Sequence, residues 1–319
     1  MIYLLVIILL LIAELIYFGI ADRYNIIDKP NERSSHTQIT LRGGGIIYWV
    51  AALLYALFNP SESGWWFLAG ITLMAGVSFW DDIKSLGQKT RLLFHLMAMT
   101  CAFYLANVYG VYPWWAIVIG YIVFTGIVNA YNFMDGVNGI TGLYTLAVLL
   151  PMIYVNNHIQ AFTDNNFLIF PLLASVVFLF FNFRKQAKCF AGDVGSVSIA
   201  FWVVTLLLIL IITTQNLIWI GFLLVYGVDT LCTILHRIYL KQNIMEAHRL
   251  HFYQILANER GIQHRVVSII YFIVQLICSL LIIMLYPKID WGIFMILTVT
   301  LIVIYGMKFR LIKISITKK

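Results

Sequence analysis

Apolar segments long enough to cross a lipid bilayer follow one another along the whole chain. A spanning α-helix needs about 20 mostly apolar residues. Of the 319 residues, 62% are hydrophobic and only 11% are charged, whereas a soluble domain carries roughly 25% charged residues. We therefore predict an all-α, polytopic integral membrane protein that forms a single domain. The eleven predicted spans lie near residues 1–21, 45–60, 64–80, 91–108, 114–131, 140–156, 167–182, 195–214, 216–235, 266–285 and 291–307.

The basic residues predict the orientation of these spans. All of the 21 Lys and Arg except Lys288 fall on one side of the predicted membrane. Because cytoplasmic loops are enriched in Lys and Arg, that side is expected to be cytoplasmic. The N-terminus is then outside and the C-terminus inside, which requires an odd number of spans. The net charge of +7 follows from this topology, so we expect the membrane, and not nucleic acid, as the partner.

Unusual polar clusters occupy five predicted cytoplasmic loops, near residues 22–44, 81–91, 132–139, 183–196 and 236–265. The stretch from Asn129 to Gly139 is the densest, since it places three Asn, one Asp and two Gly between two apolar spans. A polar turn between helices needs only one or two such residues. A transporter is expected to carry its polar groups near the bilayer midplane, whereas these gather at one membrane surface. The pattern favours chemistry between a cytosolic molecule and a lipid headgroup.

Four aspartates recur at the inner ends of predicted spans. They are Asp81, Asp82, Asp135 and Asp193. Adjacent carboxylates repel each other unless a cation neutralises them, and clusters of Asp and Asn oxygens suit Mg²⁺ or Mn²⁺. For each acid alone the alternative is a solvated helix end. Four of them on one face of the membrane favour a metal–phosphate site.

Three glycine-rich turns stand before helices that start on the cytoplasmic side: Gly43–Gly45, Gly136–Gly139 and Gly192–Ser196. Backbone N–H groups at such helix starts bind anions, and glycine lets a phosphate approach the backbone. Together with nearby basic residues the turns predict a pyrophosphate site, and tight turns or close helix packing are the alternative. The basic residues concerned are Arg33, Arg42 and Lys84.

Two histidines in the fifth loop, His248 and His251, are three residues apart and would share one face of a helix. With Arg249 between them, they are suited to grip a nucleotide or a sugar phosphate. A zinc site is not expected, because no third and fourth ligand of matching type accompany them. His36, in the charged first loop, is a weaker candidate of the same kind.

Five stretches now stand in one order along the chain and on one side of the predicted membrane. They are Asp28–His36 with Arg42–Gly44, Asp81-Asp82, Asn132–Gly136, Gly192–Ser196 and Ala247–His251. Together they resemble the polyprenyl-phosphate N-acetylhexosamine-1-phosphate transferases (glycosyltransferase family 4). The resemblance covers the whole length and is strongest to the bacterial branch that starts O-antigen and related surface polysaccharides.

The resemblance implies a Mg²⁺-dependent reaction at the cytoplasmic face of the bacterial inner membrane. A UDP-amino sugar gives its sugar-1-phosphate to undecaprenyl phosphate, and UMP is released. By the same analogy Asp193 is a metal ligand, and Asn132 and Asp135 lie beside the metal and the diphosphate. Asp81 or Asp82 is expected next to the lipid phosphate, as a base or as an organiser of charge. The implied substrate-binding residues are Arg33, Ser34, His36, Arg42, Lys84, Asn132, His248, Arg249 and His251.

The sequence departs from the family pattern at several positions. Leu41 stands before Arg42 where Pro is expected, and the loop after Asn182 is one residue longer, which leaves the role of Asn182 open. The roles of Glu14 and Asp229 are open as well. The loop at His248 lacks the His-rich run of the phospho-N-acetylmuramoyl-pentapeptide transferases, so peptidoglycan synthesis is the second interpretation.

Other classes and the finer specificity stay open at this point. A membrane lipid transporter and an inactive scaffold are alternatives, and the retained acids count against the scaffold. The donor sugar is open among the GlcNAc, QuiNAc and FucNAc types. A homodimer is expected by analogy with the family.

Overall fold

The chain is built almost entirely from α-helices. The computed structural model describes residues 1–28, 39–84, 86–243, 249–289 and 291–316. Within these ranges the helices are α1 (Ile2–Arg23), α2 (Ile47–Phe58), α3 (Glu62–Ile83), α4 (Gln88–Leu105), α5 (Trp114–Met134), α6 (Ile140–His158), α7 (Asn165–Asn182), α8 (Gly192–Thr214), α9 (Leu224–Tyr239), α10 (Phe252–Gln254), α11 (His264–Ile289) and α12 (Trp291–Ile316). Two short strands, β1 (Ile27–Asp28) and β2 (Thr40–Leu41), pair antiparallel. The predicted all-α class is confirmed.

In the described part of the chain, eight helical segments are long and apolar enough to cross a membrane. They are Ile2–Arg23, Trp114–Met134, Ile140–His158, Asn165–Asn182, Gly192–Thr214, Leu217–Tyr239, His264–Leu285 and Trp291–Leu311. Gly44–Phe58 is apolar but shorter, and the other two predicted spans are helical as α3 and α4. The structure therefore confirms a multi-pass membrane protein, whereas the count of eleven spans and their orientation stay predictions.

Helix α8 lies at the centre of the bundle, where most of its side chains are buried. Its Phe201 and Trp202 are fully buried and pack on Phe67 of α3, at ring-centroid distances of 5.6 and 4.9 Å. The indole N–H of Trp202 donates to the backbone carbonyl of Phe167 at 3.0 Å, so its polar atom is satisfied inside the core. This packing fixes the helix whose first turn carries Asp193.

A single glutamine supports the irregular start of α9. Residues Leu217–Leu223 form a 3-10 turn before the α-helix begins. In a bilayer, backbone groups that leave the regular helix must find partners within the protein. The side chain of Gln275 accepts from the Val225 N–H at 3.0 Å and donates to the Gly221 carbonyl at 3.1 Å. Tyr144 donates to the same Gln275 oxygen at 2.7 Å, which ties α6, α9 and α11 together.

The glycine turn before α2 lies directly against the start of α8. The N–H of Gly45 donates to the Ala191 carbonyl at 3.0 Å. A Cβ built on Gly45 would lie 2.2 Å from the Cα of Gly195. Neither position therefore tolerates a side chain, and the two backbones touch because both residues are glycine.

Gly195→Ala is expected to lower the stability by about 1–3 kcal/mol, because overpacking forces the backbone apart. Its Cβ would lie 2.5 Å from the Cα of Gly45. Thermal unfolding of the purified protein in detergent measures the change. Gly126→Ala in α5 is the matched control, since a Cβ there meets nothing within 4 Å. A Gly195→Ala protein that melts as high as the Gly126→Ala protein would contradict this contact.

Candidate active site

The carboxylate of Asp82 caps the N-terminus of α8. Its Oδ1 accepts from the backbone N–H of Asp193 and its Oδ2 from that of Val194, both at 3.0 Å. The Asp82 side chain is 0% exposed. Gly192 adopts a left-handed φ of 69°, and a Cβ on it would lie 2.6 Å from Asp82 Oδ2. The chain thus supplies its own anion to a helix N-terminus, where negative charge is stabilised.

Two arginines connect this cap to the neighbouring acids. Arg42 donates from Nε to Asp82 Oδ1 at 2.7 Å, and its Nη2 atom lies 3.5 Å from Asp193 Oδ1. From the other side, Arg91 contacts Asp81 Oδ2 at 3.0 Å and Asp193 Oδ2 at 3.8 Å. The Asp193 carboxylate is therefore held loosely between two cations, each of which binds a second aspartate more tightly.

Among these three acids, Asp193 is the one that a ligand reaches most easily. Its side chain is 20% exposed, compared with 12% for Asp81 and 0% for Asp82. One oxygen of Asp81 also accepts the backbone N–H of Leu86 at 2.6 Å. Asp82 is committed to the cap, and its predicted catalytic role stays a prediction.

Asp135 lies at the turn between α5 and α6. The hydroxyl of Thr141 donates to its Oδ1 at 2.5 Å. Burial and, to a smaller extent, the negative charges of Asp193 and Asp82 raise the pKa of Asp135 to about 7. The Thr141 hydrogen bond and the charge of Arg42 oppose this shift. Near neutral pH the carboxyl group can therefore hold or release a proton, as a general acid or base must.

The end of α5 is attached to the start of α8 through an amide. The Ser196 hydroxyl donates to Asn132 Oδ1 at 2.7 Å. Asn132, near the end of α5, thus contacts the start of α8, which carries Asp193, the residue predicted to share a metal with it. Asn182, whose role the sequence left open, accepts from the Gly139 N–H at 2.6 Å and donates to the Cys189 carbonyl at 2.8 Å. It therefore ties the third loop to the fourth.

The Asp and Asn oxygens of the site are of the type that binds Mg²⁺, but they do not form a complete coordination sphere. Across the described residues, no group of three His, Cys, Asp or Glu side chains lies close enough together to hold a metal ion. The carboxyl groups of Asp81 and Asp193 are within hydrogen-bonding reach of each other. Two carboxylates completed by substrate phosphates are a common way to bind Mg²⁺. Asp193, Asp81 and the nearby Asn132 are the residues that would hold it.

The glycine-rich turns use their N–H groups inside the protein. Gly44 donates to the Phe190 carbonyl at 2.9 Å, and Gly139 donates to Asn182 Oδ1. The start of α8 is occupied by Asp82. The expectation that these turns offer backbone N–H groups to a pyrophosphate is therefore wrong at these positions. The alternative, close packing of backbones, is the correct interpretation.

The fifth loop packs on the turn that carries Asp135. The Tyr253 hydroxyl donates to the Phe133 carbonyl at 3.0 Å, and a Cβ on Gly136 would lie 2.2 Å from that hydroxyl oxygen. The His251 ring is buried and stacks on the Tyr253 ring at 5.9 Å. His251 thereby joins the same end of the bundle as Asp135, as predicted, and Arg249 precedes it as a half-buried residue.

The remaining predicted residues are placed differently or lie outside the described chain. Lys84 is exposed at the end of α3. Glu14 is fully buried in α1, with Oε1 3.6 Å from the Cys189 sulfur. The residues that fall outside the described ranges are Arg33, Ser34, His36 and His248.

Sequence reasoning missed two residues that the structure brings to the site, Arg91 and Ser196, and left the role of a third, Asp229, open. Arg91 was taken only as an indicator of topology, although it follows an acid pair across one short turn. Ser196 carried no signal beyond the Gly-Asp motif. Asp229 carried a usable signal, because an ionisable residue within a predicted span is a functional candidate by default.

Part of this chain matches a family of known proteins. The model of glycosyl transferase family 4 matches residues 65–211. That range contains all four predicted acids and Asn132. Residues 65–211, a little under half of the chain, are thus similar to glycosyl transferase family 4. The regions of Arg42 and of His251 lie outside the matched range, so their place at the site rests on the structure.

Three relatives show how the similarity is distributed. The "Probable undecaprenyl-phosphate N-acetylglucosaminyl 1-phosphate transferase" of Bacillus subtilis (strain 168) is 26% identical over 301 residues, 85% of this chain and 80% of the relative. The "Undecaprenyl-phosphate alpha-N-acetylglucosaminyl 1-phosphate transferase" of Escherichia coli (strain K12) is 25% identical, over 62% of this chain and 58% of the relative. The "Phospho-N-acetylmuramoyl-pentapeptide-transferase" of Petrotoga mobilis is 27% identical, over 52% and 59%.

Asp82→Asn is expected to destabilise the protein more than Asp81→Asn. The amide cannot supply two anionic oxygens to α8, and it leaves Arg42 without its nearest counter-ion. Loss of such a buried, charge-assisted cap costs about 2 kcal/mol or more. Melting temperatures of both variants in detergent measure the difference. Equal melting temperatures would show that the cap contributes little.

Asp135→Asn is expected to stabilise the metal-free protein, and more so at high pH. The folded-state pKa is raised from 3.8 to about 7, so wild-type stability falls as pH rises between these two values, because the unfolded state ionises first. The variant lacks this loss and should melt roughly 2–5 °C higher than wild type at pH 8. Melting curves in EDTA from pH 4 to pH 8 test this. A difference that does not grow with pH would refute the assignment.

Proposed function

We propose that this protein transfers an N-acetylhexosamine-1-phosphate from a UDP-sugar to undecaprenyl phosphate. The products are undecaprenyl-pyrophosphoryl-sugar and UMP. The donor sugar is of the GlcNAc, QuiNAc or FucNAc type, and the reaction is the first step of O-antigen or a related surface polysaccharide. We place the enzyme in the bacterial inner membrane with its site facing the cytoplasm, as a homodimer.

The observation that carries this proposal is the position of Asp193. Its carboxylate lies between Arg42 and Arg91 at contact distances of 3.5 and 3.8 Å, beside the Asp81 carboxylate. Contacts of this length are readily exchanged for stronger ones when a cation and phosphates arrive. The names of the Bacillus subtilis and Escherichia coli relatives support undecaprenyl phosphate as the acceptor and an N-acetylglucosaminyl phosphate as the transferred group.

The bond changes balance without any further reactant. An oxygen of the lipid phosphate attacks the phosphorus that carries the sugar. A new pyrophosphate bond forms, the bond to the phosphate of UMP breaks, and UMP takes the electron pair. Because both reactants are anions, the site must offset their repulsion and the charge that develops on the leaving group. Arg42 and Arg91 are 34% and 26% exposed, and their guanidinium groups can each bind phosphate oxygens.

The four acids divide these tasks by their surroundings. Asp193 and Asp81 would hold Mg²⁺, with Asn132 beside them. When bound, the metal supplies charge neutralisation to the diphosphate. Asp82 holds α8 in place, and Asp135, with its raised pKa, holds a proton near the reacting phosphates. His251 and Arg249, next to the Asp135 turn, contact the nucleotide-sugar.

A second candidate is phospho-N-acetylmuramoyl-pentapeptide transfer. Relatives with that printed name match 62% of this chain in Lactococcus lactis and 60% in Thermotoga neapolitana. The two candidates differ in the group that the donor carries. The same assay therefore separates them.

Purified protein with undecaprenyl phosphate, Mg²⁺ and one UDP-sugar at a time is expected to release UMP from a UDP-amino sugar. The panel includes UDP-GlcNAc, its deoxy amino-sugar derivatives and the muramoyl-pentapeptide donor. Release should require the lipid and stop with EDTA. Asp193→Asn should lower turnover at least about 100-fold.

The matched control is Asp164→Asn, which changes an acid ahead of α7, at the opposite end of that helix from the site. It should leave turnover at the wild-type value. Wild-type turnover by Asp193→Asn in saturating Mg²⁺ would overturn the metal assignment. No UMP from any donor, with protein of wild-type melting temperature, would overturn the proposed reaction.

A further inference from the structure

A set of buried hydrogen-bond donors converges on Asp229, a carboxyl group within α9. The hydroxyl of Tyr271 donates to its Oδ2 at 2.6 Å, and the backbone N–H of Phe252 donates to its Oδ1 at 3.0 Å. The Nδ1 atom of His251 lies 3.2 Å from the same Oδ1. Asp229 is only 3% exposed. Its negative charge is therefore stabilised by these donors and not by water.

The last long helix extends this set. Lys308 is fully buried and donates to the Tyr305 hydroxyl. Because an ammonium group only donates, the Tyr305 oxygen accepts this bond, and it lies 2.9 Å from the Thr233 hydroxyl, with which it shares a second hydrogen bond. Thr233 Oγ1 in turn lies 3.3 Å from Asp229 Oδ1. A cation in α12 is thus linked to the carboxylate in α9 through two hydroxyl groups.

This hydrogen-bond network holds the fifth loop against α9, in addition to joining α9 to α11 and α12. Asp229 contacts a side chain and a backbone group of this loop, at His251 and Phe252. Thr233 Oγ1 lies 3.4 Å from the Leu250 carbonyl. Two consecutive residues of the loop, His251 and Phe252, are therefore bound by α9, and the carbonyl of Leu250 lies next to Thr233.

The carboxylate also determines which nitrogen of His251 carries a proton. An ionised Asp229 accepts a hydrogen bond from Nδ1–H, which fixes the tautomer and the ring plane of the imidazole. The ring plane is further restrained by the stacked ring of Tyr253. The orientation of His251 at the Asp135 turn is therefore set by Asp229.

We propose that Asp229 is a positioning residue of the transferase, which holds His251 and the segment 250–252 in the orientation that the UDP-sugar requires. The inference rests on the proposed function, which assigns His251 to the nucleotide-sugar. Asp229 lies outside the five loop motifs. Lys308 of α12 supports it through Tyr305 and Thr233.

The decisive measurement is the KM for each substrate. Asp229→Asn keeps the shape of the side chain but removes its charge, so the UDP-sugar KM is expected to rise about tenfold. The KM for undecaprenyl phosphate should stay unchanged. Tyr271→Phe removes one donor to Asp229 without touching His251, and should raise the UDP-sugar KM about threefold. Calorimetric binding of UMP should weaken in the same order.

Tyr144→Phe is the matched control. It removes a buried tyrosine hydroxyl that donates to a side-chain oxygen at 2.7 Å, as Tyr271 does, but to Gln275. It should lower the melting temperature while both KM values stay at wild type. If Tyr271→Phe and Tyr144→Phe have the same effect on both KM values, Asp229 is only structural and the inference is wrong.

The outcomes separate this inference from the proposed function. Wild-type protein that releases no UMP from any donor overturns the proposed function. Active wild type together with an unchanged UDP-sugar KM in Asp229→Asn and Tyr271→Phe overturns the positioning role alone. If Asp229→Asn does not fold, the UDP-sugar KM of Tyr271→Phe, compared with that of Tyr144→Phe, tests the positioning role.

Discussion

The contact between the Asp82 carboxylate and the first N–H groups of α8 organises the site end of the bundle. A helix N-terminus carries partial positive charge and attracts an anion. Because the anion is Asp82 of α3, this contact fixes the end of α3 to the start of α8, next to the other acids of the site. Arg42 then balances the buried charge and reaches toward Asp193, which leaves that carboxylate poised between two arginines. Removal of Asp82 would therefore also disturb Asp193, which shares Arg42 with it.

Much of the fold could be predicted because the bilayer imposes a strong and simple pattern. Apolar length predicted helices where the structure has them, and polar residues at span ends predicted which loops would meet. The glycine turns show where such reasoning stops. Anion binding and close packing use the same residue type, and the two are distinguished only by the folded contacts, such as Gly45 against Gly195 and the Gly139 N–H on Asn182.

The sequence predicted which residues gather at the site, but not which partner each of them contacts. Asp81 and Asp82 are neighbours in sequence, yet successive helix positions point about 100° apart. One therefore meets Arg91 and the other meets α8. Lys308 was counted with the basic residues of the inner tail, whereas the structure buries it behind Tyr305. Such pairings depend on which helix faces which, and one sequence does not contain that information.

The buried contact between Lys308 and Tyr305 also bears on how the protein is made. Domains and helices form largely in order of synthesis, N-terminal parts first. Four of the five loops belong to the first part of the chain and can meet before the last helix has been translated. The fifth loop obtains its full support only when α12 arrives beside α9. The nascent protein would therefore lack the full support of its fifth loop until α12 has been made and has packed beside α9.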